Sequence, residues 1–155
     1  MRARLRVVEL SADLSAPCAP GELFGWIDDL SNYPEWMTLV HRAVPVGERD
    51  GLQRWNVELR ARIGPFARSK RLIMARTVCT PNTEVVFERD ESDGRLHSMW
   101  RLSAQTTAVG SGSHLVMRLH YGGGLWTGGL VERVLHEEIT SSRDRLIRLI
   151  AETRR

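Results

Sequence analysis

Residues 54–63, Arg-Trp-Asn-Val-Glu-Leu-Arg-Ala-Arg-Ile (RWNVELRARI), alternate without a break. Trp55, Val57, Leu59, Ala61 and Ile63 fall on one side, and Arg54, Asn56, Glu58, Arg60 and Arg62 on the other. A period of two with one charged face describes a β-strand whose opposite face is buried. The same period appears at 8–14, where Val8, Leu10, Ala12 and Leu14 alternate with Glu9, Ser11 and Asp13. It returns over roughly 39–46, 68–79, 83–90, 96–104 and 113–121. Asp50-Gly51, Gly64-Pro65, Pro81-Asn82, Asp93-Gly94 and Gly110-Ser111-Gly112 punctuate these segments. Connections this short join antiparallel neighbours.

Two other stretches change the period. Glu22 to Leu30 places Leu23, Phe24, Ile27 and Leu30 at helical spacing, and DDLSNYPEWM (28–37) follows it. Pro34 is expected to begin a second short helix there, because its missing N–H would be unpaired at a helix start. From Gly129 onward Leu130, Val134, Leu135, Ile139, Leu146, Ile147, Leu149 and Ile150 form one apolar stripe on a long helix. The class is therefore α+β: seven antiparallel strands, two short helices after the first strand and one long C-terminal helix. A curved sheet against a single helix leaves room for a cavity between them.

With 155 residues, one domain spanning 1–155 is expected. Apolar residues make up 42% and charged ones 26%, which argues against extensive disorder. The net charge of +3 is carried almost entirely by arginine. Without a sharper basic stripe or a known motif, it does not suggest a DNA-binding protein. Arg4, Arg6 and Glu9 interrupt the N-terminal apolar residues, so no signal peptide is read there. No apolar run approaches the ~20 residues of a membrane span. Cys18 and Cys79 are isolated and expected as free thiols, which fits a cytoplasmic setting.

The element order, with Leu14-Ser15-Ala16-Pro17, Asp29-Leu30-Ser31-Asn32-Tyr33-Pro34-Glu35-Trp36, Phe87-Glu88-Arg89, Trp100-Arg101-Leu102 and the amphipathic terminal helix, resembles the START/birch-pollen-allergen (SRPBCC) superfamily. Within it the chain is similar to the polyketide cyclase/dehydrase and coenzyme-Q-binding-like proteins. The resemblance implies a helix-grip fold with an apolar cavity and a hydrophobic or aromatic ligand such as a polyketide, a quinone or a lipid. It also implies two alternatives, a polyketide cyclase/aromatase and a ribosome- or protein-binding module. Fold-level likeness does not choose among them.

Candidate site residues follow from both readings. Arg76 is in register with Leu72, Met74 and Val78, while Ile73, Ala75 and Thr77 form the competing face. If the Arg76 face is concave, its fixed charge would stabilise an oxyanion, and the cyclase-like members imply that role. Tyr33 is their large aromatic before the proline, which implies a catalytic or pocket-mouth residue. The chain departs from their pattern at Met74, where they carry serine, and at Val40, where they carry tyrosine; both changes favour apolar binding. The remaining expected ligand contacts are Trp36 and Met37 near the mouth, and Trp55, Val57, Leu59, Phe87 and Trp100 on the strands. Met117, Leu119 and Tyr121 belong to the last strand, and Leu130 and Val134 to the terminal helix.

No metal site or cofactor is expected. His114 and His120 share a strand face but stand roughly 20 Å apart, and His136 suits ordinary helix pairing with Glu132. Gly122-Gly123-Gly124 with Gly128-Gly129 lacks the lysine and hydroxyl of a phosphate loop and reads as a hinge. Arg68, Lys70 and Arg71, with Arg60 and Arg62, are expected as a basic outer patch. An acyl carrier protein or a ribosome is the partner such a patch could dock. The protein is expected as a monomer or homodimer.

Overall fold

The computed structural model describes residues 7–122 and 129–153. The chain runs β1 (Val7–Ala16), α1 (Pro20–Ile27), a 3-10 helix (Leu30–Glu35), β2 (Val40–Arg49), β3 (Leu52–Ile63) and β4 (Phe66–Thr80). It continues through β5 (Glu84–Arg89), β6 (Trp100–Val109) and β7 (Gly112–Gly122) to α2 (Gly129–Thr153). All seven strands form one antiparallel sheet in the order β1-β7-β6-β5-β4-β3-β2. The glycine-rich hinge expected after β7 falls mostly on residues outside those described.

Curvature follows from what α2 touches. It packs against both β1 and β3, which stand five places apart in the strand order. In a flat sheet that separation would be about 24 Å at ~4.8 Å per strand, more than twice the ~10 Å width of a helix. The sheet must therefore curl round α2. The buried stripe of the helix is Val131, Leu135, Ile139, Ser142, Leu146 and Ile150, at steps of four residues with a single step of three. Arg143 Nη1 donates to the Asp13 carbonyl at 3.0 Å, and Thr38 donates to Glu138, tying the helix to β1 and to the segment before β2.

Strand alternation holds where the sheet has one wet face. In β3 Trp55, Val57, Leu59, Ala61 and Ile63 are all buried, as the opening stretch requires. The Asp50-Gly51 turn takes positive φ at both residues, 53° and 78°, the conformation a two-residue hairpin needs and glycine permits. The helical segment expected at 22–30 divides in two. Pro20 occupies the first turn of α1, the helix ends at Ile27, and Asp29 caps the 3-10 helix by accepting from the Ser31 N–H at 2.8 Å. Pro34 lies near the end of that second helix, not at its start.

Two expectations are corrected. The sixth strand begins at Trp100, not at 96, because its ladder with β7 runs from Trp100 opposite Tyr121 to Val109 opposite Gly112. Residues 90–99 loop outward instead, held by Arg89 Nη1 on the carbonyl and hydroxyl of Ser98, each at 3.2 Å, and Leu96 is fully exposed. The basic patch also divides. Lys70 pairs with Leu59 and Arg68 with Ala61, and both partners are buried, so Lys70 and Arg68 share the concave face. Arg60, Arg62 and Arg71 belong to the convex one.

Candidate functional site

A cavity of about 50 Å³ lies between the sheet and α2. β1 contributes Leu10 and Ala12, which pair with Leu119 and Met117 of β7. Across the sheet, β6 adds Trp100 and Leu102, β4 adds Leu72 and Met74, and β3 adds Val57 and Leu59. The chain entering β2 closes one side with Met37, Leu39 and Val40; Leu30 adds to it, and Ile139 comes from α2. Every described residue on the wall is apolar.

Of the expected contacts, Met37, Val57, Leu59, Met74, Trp100, Met117 and Leu119 reach this cavity. Trp36 instead borders a much smaller void beside Leu14 and Leu115. Leu130 is exposed and Val134 half-buried, since each stands one residue off the helix stripe, about 100° around the axis. Leu10, Ala12, Leu72, Leu102 and Ile139 were legible as inward residues by their period. What marks them as cavity wall is the position of other elements, which no local pattern carries.

Tyr33, Trp55, Phe87 and Arg76 gather at the α1 end, beneath the 3-10 helix. The Tyr33 ring meets Phe87 edge-on at 6.0 Å and Trp36 at 4.8 Å, and Trp55 meets Phe87 edge-on at 5.5 Å. Their polar tips are all engaged. Tyr33 Oη donates to the Ile27 carbonyl at 2.8 Å, Trp36 Nε1 to the Trp26 carbonyl at 3.2 Å and Trp55 Nε1 to Ser31 Oγ at 3.1 Å. Arg76 Nη1 donates to the Asp28 carbonyl at 2.8 Å, with its guanidinium 5.7 Å over the Trp55 ring. Complete burial, aided by Asp28 and Asp29, pushes the Tyr33 phenol well above its usual range, so it stays protonated at neutral pH. Burial also raises the Asp28 carboxyl, with Arg76 opposing and Asp29 adding to the rise.

The far end is built differently. Trp100 stacks on Tyr121, centroids 4.5 Å apart and planes inclined by 18°. The Lys70 ammonium sits 5.9 Å over the Trp100 ring. Burial lowers the Lys70 pKa, Arg89 lowers it further, and Glu91 works the other way.

Beyond the cavity, Glu91, Asp93 and His97 each offer a ligand atom within 4.8 Å of the others. Arg89 already serves this group, with Nε on Glu91 at 3.1 Å and Nη2 on His97 Nδ1 at 3.2 Å. A guanidinium can only donate, so His97 Nδ1 accepts and Nε2 donates to Asp93 at 2.8 Å. The hydrogen bond from His97 is what chiefly lowers the Asp93 pKa. The arrangement pins the 90–99 loop to Arg89, and a cation there would have to displace that guanidinium. His114 pairs with Asp13 and His120 with Glu9 on the outer side of β1 and β7.

A seven-stranded antiparallel sheet curled on a C-terminal helix around an apolar cavity defines a helix-grip protein of the START type. Solved structures share the architecture. One of a Thermus thermophilus protein superposes with a TM-score of 0.73 at 17% identity, covering 94% of this chain and 99% of that one. A START superfamily protein of Mycobacterium smegmatis gives 0.69 at 14%, covering 94% and 98%. The Zhui aromatase/cyclase of Streptomyces sp. R1128 gives 0.69 at 8%, covering 97% of each chain. Identities this low establish the fold alone. The family model for polyketide cyclase/dehydrase and lipid transport matches residues 16–147, and the chain belongs to that family. Among curated proteins none matches the chain. No described helix is long and apolar enough to cross a membrane.

Proposed function

We propose that the chain is a single START-like domain that binds a hydrophobic small molecule in the cavity between sheet and α2, in a cytoplasmic setting. The observation that carries this is the wall: every described residue on it is apolar. Val40 and Met74, where the cyclase-like members it resembles carry tyrosine and serine, both belong to that wall. The free thiols of Cys18 and Cys79 accord with a reducing compartment.

At about 50 Å³ the unliganded cavity has room for a few waters, well under the ~150 Å³ that admits benzene. A ligand must therefore move side chains. Met37, Met74 and Met117 are suited to this, being unbranched and flexible, and burial would contribute about 25 cal/mol per Å² of apolar area. Binding is favoured over cyclisation because the Tyr33 hydroxyl and Nη1 of Arg76 are held by main-chain oxygens. A cyclase would have to release them.

The test is titration with the neutral dye N-phenyl-1-naphthylamine, alongside native mass spectrometry of protein purified from its own host. Leu72→Trp, which fills the cavity, is expected to abolish dye binding while the protein stays folded. Undiminished binding in that variant would place the ligand elsewhere.

A further inference from the structure

Lys70 is the only lysine in the sequence, the other 21 of its 22 basic residues being arginine. On β4 it stands two residues before Leu72 and four before Met74, and its cross-strand partner is Leu59; all three line the cavity. Its ammonium lies 5.9 Å over Trp100, which lines the cavity too. The side chain is half-buried, and among the described residues it forms no hydrogen bond or ion pair. Of the nearby Glu91 carboxylate, Oε1 accepts from both Arg89 Nε and the Ile73 N–H, each at 3.1 Å. Arg89 is also close, so the Lys70 ammonium has a second cation beside it and, among the described residues, no carboxylate in contact. A half-buried charge without a partner is unfavourable, and a bound anion would offset that.

We propose that Lys70 receives the carboxylate of an anionic amphiphile whose apolar chain lies along the cavity between the sheet and α2. The proposal deepens the hydrophobic-ligand reading and rests on it. Charge number selects carboxylate over phosphate: Arg89 is already held by Glu91, Ser98 and His97, which leaves one ammonium to offset one negative charge, that of a carboxylate and not of a phosphate dianion. The long stem of Lys70 can run along the apolar wall and leave the ammonium at its rim. Aligned in this way, the chain would point toward Met74 and the α1 end, away from the charge.

Displacement of N-phenyl-1-naphthylamine by dodecanoate, dodecanol and dodecyl phosphate separates the outcomes. Dodecanoate is expected to displace the dye at about tenfold lower concentration than dodecanol, the scale of one charge-assisted hydrogen bond. Lys70→Met should bring the two within about twofold, by raising the concentration of dodecanoate needed. A second readout needs no variant: reductive methylation with isotope-labelled formaldehyde marks Lys70 as the sole side-chain amine, and its resonance should shift with dodecanoate and not with dodecanol. Equal displacement by acid and alcohol would overturn the anion site and leave the cavity reading standing. A clear preference for dodecyl phosphate would overturn the carboxylate assignment. Failure of the dye and dodecanol to bind would overturn the cavity reading, and this proposal with it.

Discussion

The Arg76 guanidinium donates to the main-chain oxygen of Asp28 at 2.8 Å, joining the middle of the sheet to the end of α1. Through its place over Trp55 it also braces the aromatic group under the 3-10 helix. Arg76→Ala is expected to lower unfolding free energy by about 1–3 kcal/mol in urea titrations, the range for a hydrogen bond from a charged group. Binding of a neutral apolar ligand should change less than about twofold, since Arg76 is not part of the cavity wall. A loss of binding without a loss of stability would reinstate Arg76 as a ligand contact.

Tyr33→Phe keeps the ring packing and removes only the hydroxyl that serves the Ile27 carbonyl. The expected loss is about 1 kcal/mol, with ligand affinity retained. Affinity falling by more than about tenfold, with stability intact, would identify the hydroxyl as a ligand group.

Asp28 gives a pH test whose sign is set by its raised pKa. A carboxyl raised by folding favours the folded state while protonated; that contribution is complete below the ordinary value of 3.8 and is lost as pH rises through the raised one. Asp28→Asn should therefore match wild type at about pH 3, and melt higher by up to a few degrees at about pH 7. Partial exposure keeps the gain small. A variant less stable than wild type at neutral pH would show that the Arg76 attraction outweighs burial.

Met117→Ala enlarges the cavity on the β7 side. The expected loss is about 2–5 kcal/mol, with a widening of the range of ligands bound. Thermal melting with and without ligand measures both, because a ligand bound only by the folded state returns part of the lost stability.

Two glycines should respond oppositely to alanine. At Gly112 a Cβ would lie 2.6 Å from the Ala16 carbonyl oxygen, so Gly112→Ala forces β1 from β7 and is expected to destabilise by about 1–3 kcal/mol. At Gly25, within α1, nothing lies within 4 Å of an added Cβ, and Gly25→Ala should stabilise by up to about 1 kcal/mol. Similar effects in both would contradict the close approach at the β1–β7 end.

The architecture was legible because a half-wet antiparallel sheet imposes a period of two and a surface helix a period of 3.6, while the family rested on the resemblance carried by segments such as Asp29–Trp36 and Trp100–Leu102. β3 shows this at every position from Trp55 to Ile63, and β1 from Val8 to Leu14. Period alone fails where pairing is not periodic. The start of β6 depends on its ladder with β7, and the 90–99 loop on the reach of Arg89.

Sequence by itself determined which residues share a face, since strand alternation and helical stripes are local steric facts. Only the tertiary structure decided which face is which. On β4 the rows Leu72–Met74–Arg76 and Ile73–Ala75–Thr77 were equally regular, and the strand's placement buried Leu72 and Met74 in the cavity wall. A bulge between Arg76 and Val78 breaks the row, and Arg76 turns to the Asp28 carbonyl. The same placement carried Lys70 to the concave side and left Arg71 outside. Inside and outside are set by what the sheet curls around, and α2 lies roughly sixty residues further along the chain.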